Sequence, residues 1–109
     1  MRKIDIGILR AARIKFRFIG DYMFDGSSVG GENVVCIKDG RLCFNGRCHD
    51  SLCFVPQTAD GCFVLYDVII GVGFHWQRKE DQTFKGELRF IVEEGEVRAI
   101  NRLSIEDYL

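Results

Sequence analysis

The sequence has 109 residues, enough for one domain and too short for two, and a chain of this size buries roughly two thirds of its unfolded surface on folding. Apolar residues make up 47% and charged residues 28% with nearly balanced signs, and there is a single proline, a profile that excludes a disordered tail. The net charge of −1 gives no electrostatic basis for binding nucleic acid or an anionic membrane, so no nucleic-acid partner is expected.

Met1, Arg2 and Lys3 are basic, but the following residues lack the long apolar stretch of a secretory signal. Ile4, Ile6 and Ile8 alternate with Lys3, Asp5 and Gly7, and Ile14, Phe16 and Phe18 alternate with Arg13, Lys15 and Arg17, which predicts two strands with one wet face each. Residues 26–31, Gly-Ser-Ser-Val-Gly-Gly, read as the tip of a long hairpin. Residues 34–38 and 41–44 flank Asp39-Gly40, a pair suited to the positive φ angles of a type I′ hairpin, and Asn45-Gly46 repeats the device.

Five cysteines follow at positions 36, 43, 48, 53 and 62. None forms a C-x-x-C pair, so no metal site is expected, and an odd number cannot all pair within the chain. They read as small apolar residues on strands, with a disulfide as the alternative. His49 lies beside Cys48 and Asp50, but neighbours on a strand point to opposite faces, so no Cys–His catalytic pair is expected.

Residues 62–74 form the longest apolar run, which contains Asp67 and is too short to span a membrane. It reads as a central strand covered on both faces and as the heart of the core. The polar and aromatic cluster from Phe74 to Phe84 reads as a loop. There Trp76 can stack on a sugar ring while His75, Arg78 and Gln82 donate to its hydroxyls or to a lactyl carboxylate. The competing reading makes Trp76 and Phe84 packing anchors around a solvated charged turn. Glu94-Gly95 joins two further strands, with Leu88, Phe90 and Val92 facing one way and Glu87 and Arg89 the other. Many strands with Gly-containing turns and no helical periodicity predict an all-β single domain of short antiparallel strands over residues 1–103, a meander, sandwich or barrel-like sheet.

Ser104-Ile105-Glu106-Asp107 has the form of a helix start, a serine that can cap and an acid three residues later. Residues 104–109 are therefore expected to be the first turn of a helix whose remainder lies in a continuing chain. A domain ending there would expose Ile100, Leu103, Ile105, Tyr108 and Leu109, and self-association through that end is expected.

The segment Gly86-Glu87-Leu88 through Ile91-Val92, then Val97, then Ile100-Asn101-Arg102-Leu103-Ser104-Ile105-Glu106-Asp107-Tyr108-Leu109, resembles the stage II sporulation protein D family, which includes proteins named LytB or amidase enhancer. The family's pattern is a glycine, a hydrophobic strand, a hairpin, and an Asn-x-Leu-x-Leu-Glu-Asp-Tyr-Leu run entering a helix. Ile105 stands where the usual residue is leucine. Ile4 to Leu9, then Ile14 to Gly20 with Tyr22, is similar to the family's weaker N-terminal pattern.

The resemblance implies a parent enzyme, exported or associated with a bacterial cell envelope, that cleaves peptide-stripped peptidoglycan glycan strands as a lytic transglycosylase. A glutamate acts there as general acid and base, and the product is an anhydro sugar. The family's catalytic glutamate lies a few residues beyond the Glu-Asp-Tyr-Leu run, so no catalytic residue is expected in this chain and Glu106 and Asp107 match helix-start positions only. The implied partners are peptidoglycan glycan strands and the catalytic part of the parent, and no cofactor is expected. The alternative is a β-sheet scaffold or protein-interaction module with no glycan binding, for which Arg10, Arg13, Lys15 and Arg17 offer a basic strand face.

Overall fold

The computed structural model describes residues 2–70 and 78–104, with the backbone alone for 67–70 and 78–80. It is all-β. The strands are β1 (Lys3–Ala11), β2 (Arg13–Phe24), β3 (Ser27–Lys38), β4 (Arg41–Phe44), β5 (Arg47–His49), β6 (Ser51–Pro56), β7 (Cys62–Ile70), β8 (Arg78–Lys85), β9 (Glu87–Glu93) and β10 (Glu96–Ser104). All pairings are antiparallel, in the order β1-β10-β9-β6-β2-β3-β4-β5, with β7 joining β2 to β8. The sheet does not close into a barrel, and among the described residues β1, β5 and β8 each have a single neighbour.

Turn chemistry sets the local pairings. Asp39-Gly40, Asn45-Gly46 and Glu94-Gly95 hold positive φ at both positions, as the I′ geometry requires, and so does Asp25-Gly26. The long hairpin expected around 26–31 is present, and its tip is the last pair. The chain turns tightly at Asp25-Gly26, and Ser27 to Gly31 pair with β2 inside a strand of 12 residues.

Two irregularities re-aim side chains. In β1 the ladder with β10 slips between Gly7 and Leu9, so that Ile8, Leu9 and Ala11 all pack toward the core while Arg10 stays outside. In β2 it slips between Phe18 and Tyr22, around Gly20 at φ 94°. There β2 changes neighbours, from β7 at Phe16 to Ile19 to β6 at Tyr22 and Met23.

Single residues at Ala12, Asp50 and Gly86 pass the chain between two limbs of the sheet, β1-β10-β9-β6 and the set built on β2. The limbs share a core rich in phenylalanine. Phe54 of β6, at the junction, lies within 5.0–6.1 Å (ring centroids) of Phe16, Phe18, Phe24, Phe44 and Phe90. The heart of the core is therefore Phe54 and Phe16 rather than the 62–74 run. β7 does contribute Phe63 and Leu65 inward, and Val64 is buried on its other face. Residues 71–74 of that run lie outside the described residues.

The 74–84 loop is also corrected, because Arg78–Lys85 is strand β8, in register with β7 from Ile70↔Arg78 to Cys62↔Lys85. Charged side chains are compatible with an edge strand, where one side of the ladder faces solvent and charge discourages further pairing. Phe84 stacks on Phe63 at 5.5 Å, the packing role the sequence allowed it.

Phe54→Ala should cost about 3–5 kcal/mol, read from urea unfolding. At Gly86, φ is 93° and an added Cβ would lie 2.7 Å from the Arg102 carbonyl oxygen. Gly86→Ala should cost about 2–5 kcal/mol, while Gly46→Ala, with a positive φ but open space, should cost about 1–2.

Candidate functional site

The passage from β8 to β9 carries three consecutive carbonyls, one buried and two part-buried, and each finds a side-chain donor. The Tyr22 hydroxyl donates to the Gly86 carbonyl at 2.7 Å, and Asn101 Nδ2 donates to those of Lys85 at 2.7 Å and Glu87 at 3.1 Å. Asn101 is buried and Tyr22 fully so, and burial, with a smaller contribution from Cys62, pushes the Tyr22 hydroxyl far above its ordinary pKa. Tyr22 is therefore a fixed donor at neutral pH.

Beside this corner opens a cleft of about 510 Å³. Gly86 and Glu87 line it, with Lys3, Arg102, Leu103 and Ser104 from β1 and β10 and the stretch from Val55 to Ala59 opposite, and Lys85 also borders it. Glu87 was expected on the face opposite Leu88, Phe90 and Val92. It does point away from Leu88 and Phe90, yet it is 7% exposed. The Lys3 ammonium donates to Glu87 Oε2 at 2.7 Å, Arg89 Nη2 to Oε1 at 3.2 Å, and the Cys53 thiol approaches Oε1 at 3.8 Å.

Burial raises the Glu87 pKa, but the hydrogen bonds and charges of Lys3 and Arg89 outweigh it and hold the carboxyl below its usual range. Glu87 is thus ionised at neutral pH, an acceptor and electrostatic partner rather than a general acid, which needs a raised pKa. Cys53 goes the other way, its thiol pushed up by burial, so it is no nucleophile at neutral pH. Next to Glu87 in the ladder, Arg102 grips Asp5 with Nε and Nη2 at 2.6 and 2.8 Å, and Asp5 is held below the usual carboxylate range by that contact.

The residues expected to bind sugar divide differently. His75 and Trp76 lie outside the described residues. Arg78 stands opposite Ile70 in β8, and Gln82, half-buried, stands opposite Leu65. Lys85 at the end of β8 borders the cleft, and at ~3.3 Å per strand residue Gln82 is ~10 Å and Arg78 ~23 Å along the strand from it. His49 packs edge-on against Phe24 at 5.5 Å, and Cys48 lies on the opposite side of β5, so the two form no pair. Among the described residues no three histidine, cysteine or acidic side chains can hold a metal ion.

The basic face proposed for a protein partner is also divided. Arg10, on β1, bonds Glu93 and Glu94, while on β2 Lys15 pairs with Glu32 at 3.1 Å and Arg17 donates to the Tyr66 hydroxyl at 3.0 Å. The sequence reading missed Lys3, Glu87 and Arg102 as a group. Each looks like an ordinary wet-face residue in its own strand, and only the β1-β10-β9 register stacks them.

Compared with protein-family models, curated proteins and solved structures, the chain matches none.

The lowered pKa of Glu87 fixes the sign of a pH effect. Its stabilisation is fully present above the ordinary carboxylate pKa of about 4.3 and is lost as pH falls through its lower folded value. Glu87→Gln should therefore be less stable than the parent at pH 6 by about 1–3 kcal/mol, the gap closing between pH 4 and pH 2 in thermal melts.

Proposed function

We propose that this chain is the N-terminal β-domain of a peptidoglycan lytic transglycosylase resembling stage II sporulation protein D, which is exported or held at a bacterial cell envelope. Its role is to support and line the groove that receives peptide-stripped glycan strands. The observation that carries this reading is the convergence of Tyr22, Gly86 and Asn101. They come from three separate stretches of the resemblance and meet in one hydrogen-bonded corner, at the rim of a cleft reaching Leu103 and Ser104. The Ser-Ile-Glu-Asp-Tyr-Leu run begins at that point.

In this reading the general acid and base is a glutamate on the helix that follows the run. The ionised Glu87 suits the supporting role, accepting from sugar hydroxyls while Lys85, Gln57 and Thr58 at the cleft offer further polar contacts. Trp76 remains the aromatic candidate for stacking on a sugar ring.

The test is a lytic assay on peptide-stripped glycan strands, comparing this chain with a version extended by the roughly thirty residues that a helix and its packing partner need. Anhydro-sugar release by the extended chain alone is the expected outcome, and silence from both rejects the proposal. In the active version Lys85→Glu should lower kcat/KM about tenfold, the equivalent of one charge-assisted hydrogen bond of about 1.4 kcal/mol.

A further inference from the structure

Strand register gathers three of the five cysteines into one row. Cys36 of β3 stands directly opposite Cys43 of β4, and Cys43 directly opposite Cys48 of β5. Directly opposed residues share a face, and this is the outer one, because Val35, Leu42 and Phe44 beside them are buried in the core. All three are free thiols, Cys36 and Cys43 half-buried and Cys48 exposed, and β5 is an edge strand of three residues whose one described neighbour is β4.

A row is a poor metal site. Cys36 and Cys48 are two strand spacings apart, ~9.6 Å, too far for their sulfurs to converge with Cys43 on one ion at ~2.3 Å each. It is a good disulfide site, and the turns decide which pair is favoured. The residues flanking the two-residue turn Asn45-Gly46, Phe44 and Arg47, form the hydrogen-bonded pair, so Cys43 and Cys48 are a non-hydrogen-bonded pair with Cα atoms ~4.5 Å apart. The same count from Asp39-Gly40 makes Cys36 and Cys43 a hydrogen-bonded pair at ~5.5 Å, with side chains further apart. Both fit the Cα range of a disulfide, the first with less movement.

We propose that Cys43 and Cys48 form a reversible cross-strand disulfide that clips the β4–β5 edge hairpin, with Cys36 as an internal thiol able to exchange into it. The oxidant is a small-molecule disulfide of the glutathione class. The exposed Cys48 thiolate attacks one sulfur of that disulfide, forming a mixed disulfide and releasing one small thiol. The Cys43 thiolate then attacks the Cys48 sulfur, forming the protein disulfide and releasing the second small thiol. Two electrons pass from the two cysteines to the small disulfide, and their two protons leave on the small thiols. The Cys36 thiolate can attack Cys43 from the opposite side of the row and release Cys48, moving the bond by one strand without net oxidation.

The reduced protein is incubated with oxidised glutathione at a fixed ratio to the reduced form, its thiols are titrated, and its peptides are mapped by mass spectrometry without reduction. The expected result is a chain with no cross-link to another molecule, two of its five thiols lost and a Cys43–Cys48 link. Cys48→Ser should give the Cys36–Cys43 link instead, and Cys43→Ser should give glutathione adducts with no internal link, folding of both being checked by circular dichroism. The proposal is overturned if the wild-type protein gives only glutathione adducts, if it cross-links between molecules, or if its internal bond joins Cys53 and Cys62. The wild-type map decides this even where a variant does not fold.

Discussion

Buried carbonyls at a bend in the chain must find donors, since each one left unpaired costs about 1–3 kcal/mol. The bend from β8 to β9 carries three carbonyls in succession, that of Glu87 buried and those of Lys85 and Gly86 part-buried, and Tyr22 and Asn101 supply the donors from β2 and β10. Gly86 is required because its φ of 93° and the nearby Arg102 carbonyl leave no room for a side chain. The corner ties the two limbs of the sheet together at the point where the chain crosses between them. The register of β9 with β10 and the cleft beside Glu87 meet at this corner.

The core shows why the crossings sit where they do. An open sheet with one greasy face must fold over on itself to bury that face, and it does so here around Phe54 on β6, the strand that joins the limbs through its short pairing with Tyr22 and Met23. The bulge at Gly20 lets β2 serve β7 with one half and β6 with the other. Phe16 and Phe18 precede the bulge and Tyr22 follows it, and all three still point inward.

On the outer face of the β1-β10-β9 limb Arg102 pairs with Asp5, while Lys3 and Arg89 both pair with Glu87. Such partly exposed pairs contribute little stability individually. Their stronger effect is on the state of Glu87, which stays ionised while nearly buried. A carboxylate of this kind orients and accepts, and it does not serve as a general acid at neutral pH.

Much of the fold was legible in the sequence because its cause is local. Period-two alternation marks β1, β2 and β9, and positive-φ pairs mark three of the tight turns, since both follow from backbone sterics within a few residues. Resemblance drew attention to Tyr22, Gly86 and Asn101 without giving their shared task. The tertiary structure alone decided that 27–31 belongs to a strand, that 78–85 is a strand with one neighbour among the described residues, that Phe54 is central, that Glu87 is buried, and that three cysteines stand in one row. Each of these depends on which strand lies beside which and in what register. Register is set by the joint burial of side chains far apart in sequence, a condition that no single stretch of the chain expresses.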